Sequence, residues 1–229
     1  MKRVTLTFDN GPWPGVTDHV LRVLDRHVVR ATFFMVGQRL QDGASLGLAE
    51  EVHAKGHWIG NHTMSHGVPL GLQDASTAER EIGDMDRLLG ELAHFDRLFR
   101  PNGKGRLGKH LLSPGAVAFL AESKHTIVLW THVPLDRGVP AEAWVDDAKR
   151  AFSDCDWPLL VLHDRPSGHD IPAGSMAYLD QFLTWAKESE IEIVQQFPDS
   201  CVPMRNGEIL VPMTELITST TANLVEPQQ

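Results

Sequence analysis

Short apolar runs rich in β-branched residues alternate along the chain with stretches whose apolar residues recur at helical spacing. The runs predict strands over Val4–Phe8, Ala31–Val36, Trp58–Asn61, Arg97–Arg100, Thr126–Trp130, Leu159–Leu162 and Glu192–Gln196. The intervening patterns predict helices over Thr17–His27, Leu48–Lys55, Thr77–Ala93, Pro114–Glu122, Ala141–Phe152 and Met176–Ser189. In the first helix Val20, Leu21, Val23 and Leu24 make one face, and Thr17 or Asp18 can cap its start. A strand then a helix, repeated about seven times, implies parallel strands with crossover helices. An open doubly wound sheet and a closed barrel both satisfy that pattern.

After Phe197 the pattern changes. Pro198–Gln229 holds a turn signal at Arg205-Asn206-Gly207, a short apolar run over Ile209–Val211 and a polar Ser/Thr end. The expectation is a barrel over residues 1–197 and an extension over 198–229 packed on it, frayed beyond about Ala222.

Of the 229 residues, 42% are hydrophobic and 22% charged, a globular balance at a length that buries a large core without staples. No apolar run approaches the roughly 18–20 residues of a membrane-spanning helix. The start Met1-Lys2-Arg3 is basic, but Thr5, Thr7 and Asp9 interrupt what would be the apolar core of a signal peptide. With 21 Lys+Arg against 30 Asp+Glu, the net charge of −9 disfavours nucleic acid and anionic membranes as partners. Cys155 and Cys201 stand in no metal or redox spacing and read as two free thiols. Together these predict a cytoplasmic protein; nothing in the pattern sets an oligomeric state.

The chemistry gathers at the carboxyl ends of the predicted strands, where parallel α/β folds build their sites. Strand one ends in Asp9-Asn10; strand three runs into His62-Thr63-Met64-Ser65-His66; strand four ends in Arg100-Pro101-Asn102-Gly103; His132 and Asp136 follow strand five; strand six ends in His163-Asp164. Five strand ends carrying titratable or metal-capable groups at one rim exceed coincidence. On a helical turn the spacing of His62 and His66 puts both imidazoles on one face, where they can share a metal. The Asp9/Asn10 pair is the natural third ligand, since catalytic zinc keeps three protein ligands and an open water position. The bland alternatives are a helix-capping Asp9, a surface Arg100 and a core His163. For His57, His110, His132 and His169 the structural reading is preferred.

These motifs resemble the polysaccharide deacetylase family, carbohydrate esterase family 4, over residues 4 to about 197. Thr7-Phe8-Asp9-Asn10-Gly11-Pro12 resembles its Thr-Phe-Asp-Asp-Gly-Pro motif, Ala31-Thr32-Phe33-Phe34 its second strand, and His62-Thr63-Met64-Ser65-His66 its metal motif. Phe99-Arg100-Pro101-Asn102-Gly103 resembles its Arg-Pro motif and Leu160-Val161-Leu162-His163-Asp164 its last one. The resemblance implies a distorted (β/α)7 barrel that hydrolyses N-acetyl groups of a chitooligosaccharide-like amino sugar with a divalent metal, Zn2+ first and Co2+ or Ni2+ as alternatives. It implies Asp9 as general base, Arg100 as the arginine orienting it, His163 as general acid and Asp136 as the aspartate tuning that acid. It further implies metal ligands His62, His66 and, at the position of the family's aspartate, Asn10. Asn102, Gly103, Trp130, Arg137 and Val161 are implied around the substrate.

Four departures ring this site. Asn10 replaces a carboxylate by an amide, a weaker zinc ligand; all protein ligands are then neutral and a bound ion keeps its full charge, which lowers the pKa of its water. Arg137 replaces a tryptophan, Asn102 an aromatic and Val133 an aspartate. They keep two alternatives open: hydrolysis of another small amide, imide or formamide, with Arg137 suited to a carboxylate-bearing substrate, and a sugar-binding homologue without turnover.

Overall fold

The computed structural model describes residues 1–74, 76–136 and 138–219. Arg137 and the polar end beyond Ala222 therefore lie outside the described residues. Seven parallel strands carry the fold: β1 (Arg3–Asp9), β2 (Thr32–Met35), β3 (Trp58–Asn61), β4 (Leu98–Phe99), β5 (Thr126–Ile127), β6 (Leu159–His163) and β7 (Glu192–Val194). They run in the order β6-β1-β2-β3-β4-β5, with β7 also on β1. The helices between them are α1 (Thr17–His27), α2 (Gly43–Ala54), α3 (Asp84–Leu89), α4 (Pro114–Glu122), α5 (Ala143–Arg150) and α6 (Leu179–Glu188). Among the described residues the ladders do not run round a complete ring. Beyond β5 the chain meets β6 through one isolated parallel bridge, His132 to Leu160.

Alternation in β1 shows how sequence becomes layers. Val4, Leu6 and Phe8 pack with α1, α5 and α6 side chains such as Leu24, Trp144 and Phe182. Thr5, Thr7 and Asp9 take the opposite face, also buried. There the Thr7 hydroxyl donates to the Leu160 carbonyl at 2.7 Å, which satisfies a polar group inside the sheet. A second core, with Phe34, Phe99, Val128, Trp130 and Val161, lies on that side.

Several predicted elements change shape. Residue Val16, with no side-chain cap, starts α1; Thr17 accepts from the Trp13 N–H and Asp18 from the Gly15 N–H, so neither caps the helix itself. Residues 77–93 form a π turn (Glu79–Gly83), α3 and a 3-10 turn (Gly90–Leu92) instead of one helix. Gly90, at φ +50, breaks the regular path. Helix α2 begins five residues early because Asp42 accepts from the Ser45 N–H at 3.0 Å. The strand predicted over 126–130 is paired only at Thr126–Ile127, since the Leu129 N–H turns away to the Cys201 carbonyl.

Past β7, β8 (Met204–Arg205) adds antiparallel to β5 and turns back through Asn206-Gly207 into β9 (Glu208–Ile209). Cys201, Met204 and Met213 join the second core. Both cysteines are free, and burial pushes the Cys201 thiol up to about 11, so it stays an inert thiol. Among the described residues no helix is long and apolar enough to cross a membrane.

Candidate active site

Because the strands are parallel, their carboxyl ends open on one rim, and a cavity of about 460 Å³ lies there. Asp9, Asn10, His62, His66, Asp136 and His163 all line it, with Gly103, Trp130 and Val161. Register sets part of this arrangement: Asp9 is paired across the β1–β6 ladder with His163.

Asp9 is held by the most deeply buried charge in the fold. Arg100 is fully buried and donates from Nη1 to Asp9 Oδ1 at 2.9 Å and to the Thr7 hydroxyl at 2.6 Å. Its Nε and Nη2 donate to the Val128 and Leu129 carbonyls at 3.1 and 3.2 Å. The guanidinium lies 4.0 Å over the Phe34 ring. A buried cation with this many partners fixes the carboxylate's direction. The readings of Asp9 as a helix cap and Arg100 as a surface residue are thereby set aside.

His62 and His66 converge, but not on a helix. The loop from 62 to 66 turns through left-handed residues, Thr63 at φ +69 and His66 at φ +51, and brings the rings to 4.8 Å between centroids. Such conformations cost free energy in non-glycine residues, and here the surroundings hold them. The Thr63 hydroxyl accepts from the His66 N–H, and Glu81, on the π turn, accepts from both the Ser65 N–H and its hydroxyl. His62 Nδ1 lies 2.8 Å from the Arg100 carbonyl, to which it must donate, so Nε2 keeps its lone pair, 3.6 Å from Asp9 Oδ2. Burial pushes the His62 pKa down against the pull of Asp9. Burial and the neighbouring His62 push His66 down to about 3. Both shifts favour the neutral ring, the form that ligates metals.

Beside them stands Asn10, buried and at φ +78. Its Oδ1 is buried with no hydrogen-bond partner among the described residues, a costly state for an amide oxygen. Among the described residues no group of three His, Cys, Asp or Glu side chains forms a metal-holding set. Two neutral imidazoles and an orphaned amide oxygen nevertheless fit a divalent cation, with Asn10 in the place a carboxylate would take.

Across the cavity His163 Nδ1 lies 2.7 Å from Asp136 Oδ2, leaving Nε2 as the other ring nitrogen. Burial pulls the Asp136 pKa upward, but the hydrogen bond and charge of His163 outweigh it and hold the carboxyl low. Next in sequence, Asp164 is buried and accepts from the Thr17 hydroxyl at 2.7 Å. It packs so closely on Gly11 that a Cβ there would stand 2.0 Å from Oδ2, which is why residue 11 carries no side chain. Burial pushes the Asp164 pKa up to about 7. For an acid raised this way the native state binds the extra proton, so its contribution to stability falls as pH rises from about 4 to 7. Asp164→Asn is expected to match wild type near pH 4 and to gain on it, by on the order of a few kcal/mol, near pH 8 in urea unfolding. A constant difference across that range contradicts the assignment.

The residues implied around the substrate separate. Gly103, Trp130 and Val161 line the cavity, as does Val133. Asn102 instead donates from Nδ2 to the Gly67 carbonyl at 2.6 Å and is not part of the lining; it ties the Arg-Pro loop to the histidine loop. Of the other histidines, His57 accepts from the Ala31 N–H, His110 lies 3.0 Å from the Gly103 carbonyl and His169 is bonded to Ser167, all structural roles. His132 lies 3.5 Å from Asp147. Sequence reasoning missed Glu81, Thr7 and the cavity-lining Lys104, Arg106 and Arg165. Nothing in its local pattern marks Glu81; Thr7 heads the first motif but was given no role there, and the basic loop at 104–106 is a readable signal.

An ion-paired carboxylate, a carboxylate-bound imidazole and a neutral imidazole pair at the strand-end cavity of a parallel α/β fold define a candidate hydrolase. Comparison with known proteins narrows this. The family model described as polysaccharide deacetylase matches residues 1–107. A peptidoglycan-N-acetylglucosamine deacetylase of Bacillus cereus is 38% identical over 166 residues, 71% of this chain and 73% of the relative. A chitooligosaccharide deacetylase of Sinorhizobium fredii is 30% identical over 184 residues, 78% of this chain and 79% of the relative. Among solved structures, a family 4 acetyl xylan esterase from Clostridium thermocellum in complex with a cobalt ion aligns at a TM-score of 0.68 and 26% identity, covering 85% of this chain and 88% of that one. The chain belongs to the polysaccharide deacetylase family.

Proposed function

We propose that the chain removes N-acetyl groups from an amino-sugar oligomer or polymer by hydrolysis. The observation that carries this reading is the pair of carboxylate-supported groups in one cavity: Asp9 fixed by Arg100, and His163 bonded to Asp136. The relatives named as peptidoglycan-N-acetylglucosamine and chitooligosaccharide deacetylases support the substrate class.

His62, His66 and Asn10 Oδ1 would hold the divalent metal, zinc first. Such an ion supplies Lewis acidity toward the acyl oxygen and its attacking water. The chain's own groups do the proton work. Asp9 accepts the proton of the attacking water, and Arg100 keeps that carboxylate aimed. His163 Nε2 gives a proton to the departing amine, while Asp136 fixes the ring through Nδ1. Trp130 and Val161 supply apolar wall against the sugar.

Zinc-loaded, desalted protein is expected to retain one ion per chain by mass spectrometry and to lose it in His62→Ala. The loaded protein is expected to release acetate from N-acetylglucosamine oligomers and to leave cyclic ureides intact. Ureide turnover without acetate release moves the reading to another amide hydrolase. Sugar binding with neither ion nor turnover moves it to a binding homologue.

A further inference from the structure

Although the chain carries a net charge of −9, its cavity is walled by three cations, Lys104, Arg106 and Arg165. The two carboxylates in the same wall are already engaged, Asp9 by Arg100 and Asp136 by His163. Lys104 and Arg106 sit on a tight turn closed by the Arg106 N–H on the Gly103 carbonyl at 3.0 Å. Its two central residues, Lys104 at φ +49 and Gly105 at φ +75, both take the left-handed conformation of a type I′ turn. Residues 104–106 are exposed, and among the described residues neither Lys104 nor Arg106 has an ion-pair partner. Arg165 follows β6 on the other side, near enough for its charge to act on both His66 and Asp136. Cations concentrated in a cleft of an otherwise acidic protein focus the field on an anionic ligand.

We propose that the cavity selects an anionic amino sugar: an N-acylated sugar that also carries a carboxylate or a phosphate, held by Lys104, Arg106 and Arg165. The proposal rests on the cavity being the sugar site argued above and names the substrate class of that site. The shared chemistry is an anionic oxygen group, which an arginine can grip by two parallel hydrogen bonds and a lysine as a point charge.

The test is calorimetric titration of the full-length, zinc-loaded protein with N-acetylglucosamine, N-acetylglucosamine 6-phosphate and N-acetylmuramic acid. At least one anionic sugar is expected to bind about tenfold or more tightly than the neutral one at low salt. The advantage is expected to shrink in about 1 M salt, where screening acts over roughly 3 Å, and to fall to near parity in K104Q/R106Q. Preference for the phosphate alone identifies a phosphosugar, and for the carboxylate alone a sugar acid. Equal or tighter binding of the neutral sugar, no binding of either anionic sugar, or a preference unchanged in K104Q/R106Q overturns the proposal. Acetate release is scored separately. Anion-selective binding without release from any probe keeps this proposal and removes the hydrolase reading. Release without charge preference does the reverse.

Discussion

Asp9→Asn and His163→Ala are each expected to lower the rate of acetate release by about two to four orders of magnitude, with the fold retained. In Asp9→Asn the amide oxygen still accepts from Arg100 Nη1, so the local geometry survives while the proton acceptor is gone. In His163→Ala, Asp136 loses its partner but sits at the cavity wall. The two variants differ in a further readout. An amine is a poor leaving group unless protonated, whereas a sugar alkoxide leaves more readily. His163→Ala is therefore expected to cost more on an N-acetyl than on an O-acetyl substrate, while Asp9→Asn costs both alike. Steady-state acetate release on paired substrates checks this. Equal losses on both substrates in His163→Ala remove its role as proton donor to the amine.

Arg100→Met is expected to give the largest stability loss, about 3–5 kcal/mol in urea unfolding. The methionine replaces the aliphatic length but leaves Asp9 buried and unpaired, and leaves the Val128 and Leu129 carbonyls and the Thr7 hydroxyl without their donor. Much of the loss is the cost of the stranded carboxylate. The double variant Asp9→Asn with Arg100→Met is therefore expected to be markedly less destabilised than the sum of the singles. Strict additivity contradicts the buried pair as the source of the cost.

The parallel scaffold was legible because β1 alternates strictly, Val4, Leu6 and Phe8 against Thr5, Thr7 and Asp9, because α1 carries one apolar face, and because α4 starts on a Ser113 cap and Pro114. The rim residues were legible for a different reason: Asp9, Arg100 and His163 each stand at or just past the end of an apolar run, where parallel strands deliver side chains to one site. How His62 and His66 meet was not legible. Spacing suggests a helical turn, but the loop achieves it with left-handed residues that no propensity favours and that Glu81 and Thr63 hold in place. Glu81 is hidden because its reach depends on a π turn inside what reads as a plain amphipathic helix. The role of Asn102 was misplaced because a polar residue near a site reads as a ligand contact; its amide is used to join two loops instead. The antiparallel β8 escapes because two-residue strands leave no periodicity, and their pairing is set by β5's free edge.

Asn10 joins the fold to the chemistry. Its oxygen, buried and without a hydrogen-bond partner among the described residues, lines the same cavity as the imidazole pair. On the proposed reading an amide in place of a carboxylate would weaken the metal site without removing it, and the cationic turn at 104–106 is the part of the wall proposed to hold an anionic substrate.

The most direct test of the central claim is the mass spectrum of an N-acetylglucosamine tetramer incubated with the zinc-loaded protein, beside Asp9→Asn. The account predicts product in which acetyl is replaced by hydrogen on one or more residues with wild type, and intact tetramer with the variant. No acetyl loss from either the tetramer or N-acetylmuramic acid with the zinc-bearing wild type, or equal conversion by Asp9→Asn, contradicts it.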